Sequence, residues 1–400
     1  MGLSDPAKAE PQVTGRTEWL PFHLPTIGEE EIAEVVDTLR SGWVTTGIKT
    51  QRFEQDFASM LDIPRALALA SGTAALHLGL VVNGVKADDE VIVPTYTFTA
   101  TAEVVTYLGA RPVLVDVDPV TCNVTADTVE RALTPRTRAI MVVHIAGQPC
   151  DMDPILALAQ AHGVKVIEDA AHAMPGSYRG RWLGTLGDAG AFSFYATKNI
   201  TTGEGGMLVT SDPEALEEAR VLALHGISKD AWKRYSSAGH WYYEVLANGH
   251  KYNLSDIHAS LGLHQLRKLG AFYERRRRYA ARYEAGLGNL EAIITPSEIA
   301  GNQHAWHLYM VRLRPDMLRI DRNTFIEELR ARNIGTSVHF IPLHLHPYYQ
   351  QAWGCRPGDF PAAETAYQDT ISLPLYPGMS ESDTDDVIEA VSDIVRRNRR

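Results

Sequence analysis

The stretch FYATKNITTGEGGMLVT, residues 194–210, places a single lysine, Lys198, between a run of apolar residues and a glycine-rich turn. Strands are predicted on either side of this turn, near residues 189–195 and 206–211. The turn leaves no room for a crossover helix, so the two strands should pair antiparallel. Because side chains alternate along a strand, Ser193 should lie on the face opposite to Phe192.

Upstream of this pair, short apolar runs alternate with helical patterns, as in RALALAS followed by GTAALHLGLVV. Such alternation is typical of βαβ units on a mostly parallel sheet with helices on both faces. The runs predicted as strands are RALALAS, EVIVP, RPVLVDVD, RAIMVVHIA and VKVIEDAA. The predicted fold class is therefore α/β, with a large domain built on a mixed, mostly parallel sheet.

Downstream of Asn253 the pattern changes to long helices followed by a second, smaller α/β unit. AWHLYMVRL and TSVHFI are predicted as strands of this unit, TFIEELRARN as a helix and DTDDVIEAVSDIVRR as a closing helix. We predict three parts: a flexible tail over 1–17, a large cofactor-binding domain over 18–265 and a small carboxyl-terminal domain over 266–400.

Two helical stretches carry patterns that predict which side is buried. From Gly28 to Leu39 apolar residues recur at helical spacing and Gly42 follows as a stop, which predicts an amphipathic helix. Arg275–Arg278 lie on a long helix and are interleaved with acidic residues, which indicates a solvated face rather than a nucleic-acid contact.

Composition excludes several functional classes. The formal net charge of −11 and a hydrophobic content of 45% favour a soluble globular protein without a nucleic-acid partner. Three scattered cysteines provide neither a disulfide framework nor a cysteine-held cluster, which indicates a reducing, cytoplasmic compartment. No run approaches the roughly 18 apolar residues of a membrane helix.

Two other features of the sequence predict an acid and a phosphate-binding site near Lys198. The predicted strand VKVIEDA delivers Asp169 at its carboxyl end, where open α/β sheets bind ligands. RALALASGTAAL leads a strand into Ser71, Gly72 and Thr73 at a helix start, where free N–H groups attract a phosphate. Pyridoxal phosphate (PLP) requires three groups from a protein: an amine that can form an imine, a carboxylate for its pyridinium nitrogen, and a phosphate-binding site, called the phosphate seat below.

Three competing motifs fit less well. GWVTTGIKT, residues 42–50, nearly matches a P-loop, but Ile48 separates Gly47 from the lysine and a helix precedes it. No dinucleotide-binding glycine fingerprint follows the first strand. His339, His344 and His346 could suggest zinc, yet prolines interrupt the stretch, so no metal site is predicted and a substrate-facing loop is favoured.

With these residues in view, the chain resembles the DegT-type nucleotide-sugar aminotransferases, which have the aspartate-aminotransferase-like fold (PLP fold type I). The resemblance runs from about Leu20 to the carboxyl end. It rests on the stretches GWVTTGIKTQRFE, ASGTAAL, VPTYTFTATA, EDAAHAMPGSYRG, AFSFYATKNITTGEGGMLVT, LHGISKDAWKRY, HKYNLSDIHASLGLHQL and VHFIPLHLHPYY. Where many relatives have Gly-Pro, this chain has Gly47-Ile48.

The resemblance implies roles for individual residues. Lys198 would be the Schiff-base lysine and Asp169 the pyridinium partner, with His172 close to the phenolic oxygen of the cofactor. The remaining implied contacts are Gly72, Thr73 and Ser193 at the phosphate, Phe98 against the ring, Asn253 reaching the phosphate of the neighbouring subunit in a homodimer, and, as weaker candidates near the sugar, Tyr96 and His339.

The resemblance also implies an activity. GISKDAWKRYSSAGHWYYEV and the KYNLSDI stretch look most like enzymes that aminate C4 of 4-keto-6-deoxy sugars carried on UDP or dTDP, with glutamate as the expected donor. The alternatives are amination at C3 of a keto sugar, amination of a keto-inositol, and aminobenzoate synthesis. From a different class, the chain could be a sensor of sugar nucleotides, which the absence of a DNA-binding module disfavours. Lys198 argues against the dehydratase branch that carries histidine there.

Overall fold

The computed structural model describes residues 16–228 and 242–400. The strands are β1 Ala66–Leu69, β2 Glu90–Pro94, β3 Arg111–Val115, β4 Thr137–Val143, β5 Lys165–Asp169, β6 Ser177–Tyr178, β7 Arg181–Trp182, β8 Ala189–Ser193, β9 Gly206–Val209, β10 Ile293–Ile294, β11 Asn302–Gln303, β12 Tyr309–Leu313 and β13 Thr370–Leu373. The α-helices are α1 Glu29–Ser41, α2 Ile48–Leu61, α3 Gly72–Val82, α4 Ala100–Tyr107, α5 Ala126–Glu130, α6 Met152–His162, α7 Pro213–Ala223, α8 Asp256–Leu287, α9 Arg322–Ala331, α10 Pro347–Trp353, α11 Pro361–Asp369 and α12 Glu381–Asn398.

A seven-stranded sheet with the order β1-β9-β8-β5-β4-β2-β3 forms the centre of the large domain. Five neighbouring strands run parallel, whereas β9 is antiparallel to both β1 and β8. The mostly parallel α/β class and the antiparallel pair around the Lys198 turn are thus confirmed. Apolar clusters cover both faces of this sheet, as expected when crossover helices pack on each side.

The carboxyl-terminal unit is smaller and its sheet differs from the predicted one. AWHLYMVRL contains β12 as predicted, but its sheet partners are β10 and β13. The prediction of a strand over TSVHFI is wrong: only Ser337 pairs, with Ser372, before the chain leaves the sheet. The rings of His339 and Phe340 pack on other aromatic residues instead, so this segment forms a loop.

Helix α8 joins the two cores. Leu263, Leu266 and Leu269 belong to the core of the large domain, whereas Tyr279 and Tyr283 belong to that of the carboxyl-terminal unit. The predicted division at 265/266 falls within this helix and stays a prediction. No helix in residues 16–228 or 242–400 combines the length and apolar character needed to cross a membrane.

Two helical faces differ from their predicted exposure. Arg276 is fully buried, and its Nη1 donates to the carbonyl oxygens of Trp306, His307 and Leu375 at 3.3, 3.2 and 2.7 Å, so the prediction of a solvated arginine face is wrong at this residue. Arg277 remains exposed and pairs with Glu274.

Helix α1 forms as predicted but keeps much of its apolar side exposed. Ile32 and Leu39 are 47% and 54% exposed, while Glu31 and Thr38 are buried. Glu31 accepts hydrogen bonds from Gln265 and Lys268 of α8, so this packing is polar.

Candidate active site

Asp169 and Lys198 meet at the carboxyl edge of adjacent parallel strands. Asp169 ends β5, and Lys198 lies in the loop that follows β8. The ends of this loop are held together, because Phe194 donates its N–H to Gly205 O at 2.9 Å and accepts from Thr202 N at 3.0 Å. The N–H of Lys198 donates to Tyr195 O at 2.9 Å, so the backbone that carries the amine is fixed.

Burial shifts the proton affinity of both groups. Desolvation lowers the pKa of Lys198 from 10.5 to about 8, and the negative charge of Asp169 opposes this shift. Burial raises the pKa of Asp169, opposed by hydrogen bonds from the hydroxyl of Thr101 at 2.8 Å and the N–H of Ala171 at 3.1 Å. The pair therefore supplies an amine that can be neutral near physiological pH and a carboxyl group held rigidly beside it.

The helix start after β1 lies directly against β8 and β9. The side chain of Ser71 accepts from Ala74 N at 3.0 Å, while the N–H groups of Gly72 and Thr73 precede the first helical hydrogen bond. A Cβ on Gly72 would lie 2.9 Å from the Cβ of Ser193. The three residues predicted for the phosphate, Gly72, Thr73 and Ser193, are thus brought together around free backbone donors.

Aromatic rings surround the other side of the site. His172 is buried between His307, at 4.3 Å between ring centroids, and Phe340, at 5.9 Å with nearly parallel planes. Its Nδ1 is buried without a partner in the described residues. Desolvation, followed by the charges of Lys198 and His339, lowers the pKa of His172 well below its usual range. Phe98 is 58% exposed beside Phe340 at 6.0 Å, which leaves its face available to a ligand.

Tyr96 and His339, the two weaker candidates for contact with the sugar, differ in their exposure to solvent. Tyr96 is fully buried and its hydroxyl donates to His339 O at 2.5 Å, so it supports the loop from beneath rather than facing a ligand. His339 is half-buried, with its Nδ1 2.8 Å from the Ser372 hydroxyl. Desolvation and the charge of Lys198 lower the pKa of His339 to about 4, so the ring is neutral.

Asn253 lies beside the start of the phosphate seat in its own chain. Its backbone bridges Leu69, and its Nδ2 donates to the hydroxyl of Thr46 at 2.6 Å. Lys251 donates to its Oδ1 at 2.6 Å. The expectation that Asn253 serves a neighbouring subunit remains a prediction.

The near-P-loop stretch has its backbone donors occupied. The carboxylate of Asp256 accepts from the N–H groups of Gly47, Lys49 and Thr50 at 2.8, 3.1 and 2.9 Å. An internal acid therefore fills the position that a phosphate would take in a true P-loop.

The histidine stretch likewise lacks a metal arrangement. His344 is buried between Thr95 and Glu364, which lie 2.8 and 2.9 Å from its ring nitrogens. Within residues 16–228 and 242–400, no group of three His, Cys, Asp or Glu side chains is arranged to hold a metal ion.

Sequence reasoning missed a buried ionisable pair beneath the site. Glu168 and His144 are both fully buried, with Oε2 3.0 Å from Nε2. Glu168 also accepts from the N–H groups of Gly184, Leu186 and Gly187 at 2.7, 2.6 and 2.7 Å, which fixes the turn before β8. A second acid inside the apolar strand VKVIED was the available signal, because a mid-strand carboxylate must find buried donors.

These residues fit PLP. Asp169 is a buried carboxyl group suited to a ring-nitrogen proton, and the unpartnered Nδ1 shows that His172 is not fully engaged by protein groups. Gly72 lets the helix start lie close against Ser193, because a Cβ there would lie 2.9 Å from the Cβ of Ser193.

Comparison with known proteins gives one consistent result. A sequence profile described as the DegT/DnrJ/EryC1/StrS aminotransferase family matches residues 25–392. An uncharacterized protein of Methanocaldococcus jannaschii is 52% identical over 384 residues, covering 96% of this chain and 100% of its own. The spore coat polysaccharide biosynthesis protein SpsC of Bacillus subtilis is 51% identical over 385 residues, covering 96% and 99%. The PLP form of Spr1654 from Streptococcus pneumoniae, assigned as a sugar aminotransferase, superposes with a TM-score of 0.88 at 35% identity, covering 95% and 99%.

Proposed function

Since the chain belongs to the DegT/DnrJ/EryC1/StrS aminotransferase family, whose members are PLP-dependent sugar aminotransferases of fold type I, we propose that it moves an amino group from glutamate to C4 of a nucleotide-linked 4-keto-6-deoxy sugar. One observation carries the proposal: the Lys198 amine has a pKa of about 8 and interacts with the charge of Asp169. Both groups lie beside the phosphate seat. The choice of C4 and of UDP or dTDP rests on the sequence of 226–245 and of the KYNLSDI stretch. Residues 229–241 of the first stretch lie outside the described residues.

Lys198 would hold PLP through its amine and Asp169 would hold the ring nitrogen. The other proposed holding residues are Gly72, Thr73 and Ser193 at the phosphate, Phe98 against the ring, His172 at the phenolic oxygen and Asn253 from a neighbouring subunit. PLP, when bound, supplies an aldehyde that captures amines and a ring that accepts the electron pair left on the substrate carbon.

Lys198 performs the proton transfer in this proposal. Once the amino donor has displaced it, Nζ of Lys198 accepts the proton removed from the substrate carbon and later returns one. Its pKa of about 8 makes this feasible near neutrality, because desolvation disfavours the charged ammonium. Hydrogen bonds from Thr101 and Ala171 orient the carboxyl group of Asp169.

The catalytic assignment is tested by two substitutions. Lys198→Ala should abolish both the visible imine absorbance and turnover, and retained transamination would defeat the assignment. Asp169→Asn should retain PLP but slow loss of the substrate proton severely, because the amide cannot stabilise a ring-nitrogen cation. An undiminished rate would mean that Asp169 is structural.

The substrate is tested with purified enzyme. Glutamate alone should bleach the imine band, which a sensor without transaminase activity would not do. Subsequent addition of 4-keto sugar nucleotides should restore the band and yield a 4-amino product. Restoration only by 3-keto sugar nucleotides, keto-inositols or a precursor of an aminobenzoate would replace the C4 proposal with the corresponding alternative.

A homodimer is part of the proposal, and the exposed apolar side chains around α1 support it. Trp43 and Val44, in the loop after α1, are 36% and 43% exposed, and Ile48, the first residue of α2, is 77% exposed. These side chains continue the exposed apolar surface of Ile32 and Leu39 on α1. This loop also places Thr46 on Asn253. Ile48→Asp should shift sedimentation toward the monomer, and an unchanged dimer would remove the surface from the proposed interface. We retain the cytoplasm as the proposed compartment, in keeping with three unpaired cysteines.

A further inference from the structure

The residue after Lys198 ties together three separate segments of the chain. Asn199 is buried, and its Nδ2 donates to Met174 O at 2.5 Å and to Ala305 O at 2.9 Å. Its Oδ1 lies 3.1 Å from Nδ1 of His307. Rotating the amide would set its oxygen against two carbonyl oxygens, so the network fixes Oδ1 toward His307.

This orientation determines the tautomer of His307. Because Oδ1 of Asn199 can only accept, Nδ1 of His307 must carry the proton. Burial, followed by the charges of His172, Lys198, Arg276 and His339, lowers the pKa of His307 well below its usual range, so the ring is neutral. His307 is therefore a neutral imidazole protonated at Nδ1.

The backbone of His307 is fixed as firmly as its ring. His307 N and Leu308 N donate to Ala146 O at 3.0 and 3.2 Å, and Ala305 N donates to Gly147 O at 2.9 Å. Arg276 binds the carbonyl oxygen of His307 from the other side. The ring thus lies on a segment held by these hydrogen bonds, at 4.3 Å from His172, whose other neighbour is Phe340.

We propose that Asn199 and His307 form a positioning pair for His172, in which Asn199 fixes the tautomer and plane of His307 and the ring of His307 sets the plane of His172. The ring nitrogens of His172 are thereby aimed without a direct hydrogen bond to protein at Nδ1. The same amide anchors the peptide that carries Lys198, so the pair couples the orientations of the proposed base and of His172. The catalytic consequence rests on the proposed function, whereas the tautomer does not.

The first test is independent of catalysis. Histidine side chains labelled with ¹⁵N in the wild-type apoprotein should show His307 as a neutral Nδ1–H tautomer from pH 6 to pH 9, with its signals assigned by their loss in His307→Phe. An Nε2–H tautomer, or a ring that gains a proton in this range, would overturn the inference. In Asn199→Leu the His172 signals should shift, and unshifted His172 signals would also overturn it.

The second test separates positioning from general packing. His307→Phe keeps a ring beside His172 but removes the N–H, and it should lower the rate of the glutamate half-reaction about tenfold with the KM for glutamate unchanged. The double variant Asn199→Leu with His307→Phe should be no slower than Asn199→Leu alone, because without the Asn199 amide the N–H of His307 has lost the acceptor that fixes it. Additive losses would show that the two residues act separately and would overturn the pair.

His304→Phe is the matched control. His304 is also buried in this segment, but its Nδ1 accepts from Trp306 N at 2.8 Å and its ring stacks on Trp306. Its replacement should leave the His172 signals and the half-reaction rate within twofold of wild type, and losses as large as those of His307→Phe would assign the effect to packing. A wild-type enzyme with the expected tautomer but no glutamate half-reaction would refute the proposed function alone.

Discussion

Replacing Lys198, the desolvated amine at the centre of the site, should stabilise the apoprotein. Lys198 has an ordinary pKa of 10.5 and a value of about 8 in the folded chain, because burial disfavours its charge. At 1.36 kcal/mol for each pKa unit, this difference corresponds to about 3 kcal/mol of unfolding free energy lost at pH 7. Lys198→Met removes the charge and keeps most of the volume. The attraction between Lys198 and Asp169 is already contained in this difference, because it opposes the lowering of the Lys198 pKa.

The pH dependence has a definite sign. Between pH 8 and pH 10.5 the unfolded lysine binds a proton that the folded one has released, so wild-type stability rises with pH relative to the variant. Below pH 8 both states of the wild type are protonated and the difference is constant. The advantage of Lys198→Met should therefore be greatest at and below pH 7 and shrink to less than about 0.5 kcal/mol at pH 10.5.

Urea unfolding of the two apoproteins at pH 7 and pH 10.5, at one fixed protein concentration, measures this difference directly. Comparing variants at each pH removes the titration of all groups that they share. Lys86→Met is the control, because Lys86 is exposed away from the site and should give the same small difference at both pH values. A Lys198→Met apoprotein less stable than wild type at pH 7, or an advantage that does not shrink with pH, would refute the reasoning.

Three further substitutions test the buried framework. Arg276→Ala should lower the unfolding free energy by about 3 kcal/mol, because three carbonyl oxygens lose a donor and a cavity forms. The control Arg277→Ala should leave the urea midpoint unchanged, and equal effects of the two substitutions would contradict the burial of Arg276. Glu168→Leu should destabilise by about 3 kcal/mol or more, since it strands four buried donors, and a loss below about 1 kcal/mol in urea would argue against that network. Gly72→Ala should weaken PLP binding at least tenfold in titrations of the apoprotein, because the added Cβ meets Ser193 at 2.9 Å, and unchanged affinity would exclude a close approach there.

The local sequence pattern was sufficient to predict strands and helices of the large domain. The stretch GTAALHLGLVV coincides with α3, and EVIVP coincides with β2. The turn that carries Lys198 was recognisable as antiparallel because a glycine-rich connection of that length cannot contain a crossover helix. In contrast, the pattern of TSVHFI is strand-like, but its side chains pack on aromatic residues from elsewhere in the chain, which local periodicity does not encode.

The sequence by itself determined which groups carry the chemistry. An acid at the end of a buried strand and small residues at a helix start are local features, and the position of strand ends in a parallel sheet brings Asp169 toward Lys198. Only the tertiary structure decided how those groups are tuned and held. The pKa of Lys198, the burial of Arg276 and the contact of Asn199 with His307 depend on segments more than a hundred residues apart or on the exclusion of water around them. Desolvation and ring packing are properties of the assembled neighbourhood, so no single stretch of sequence displays them.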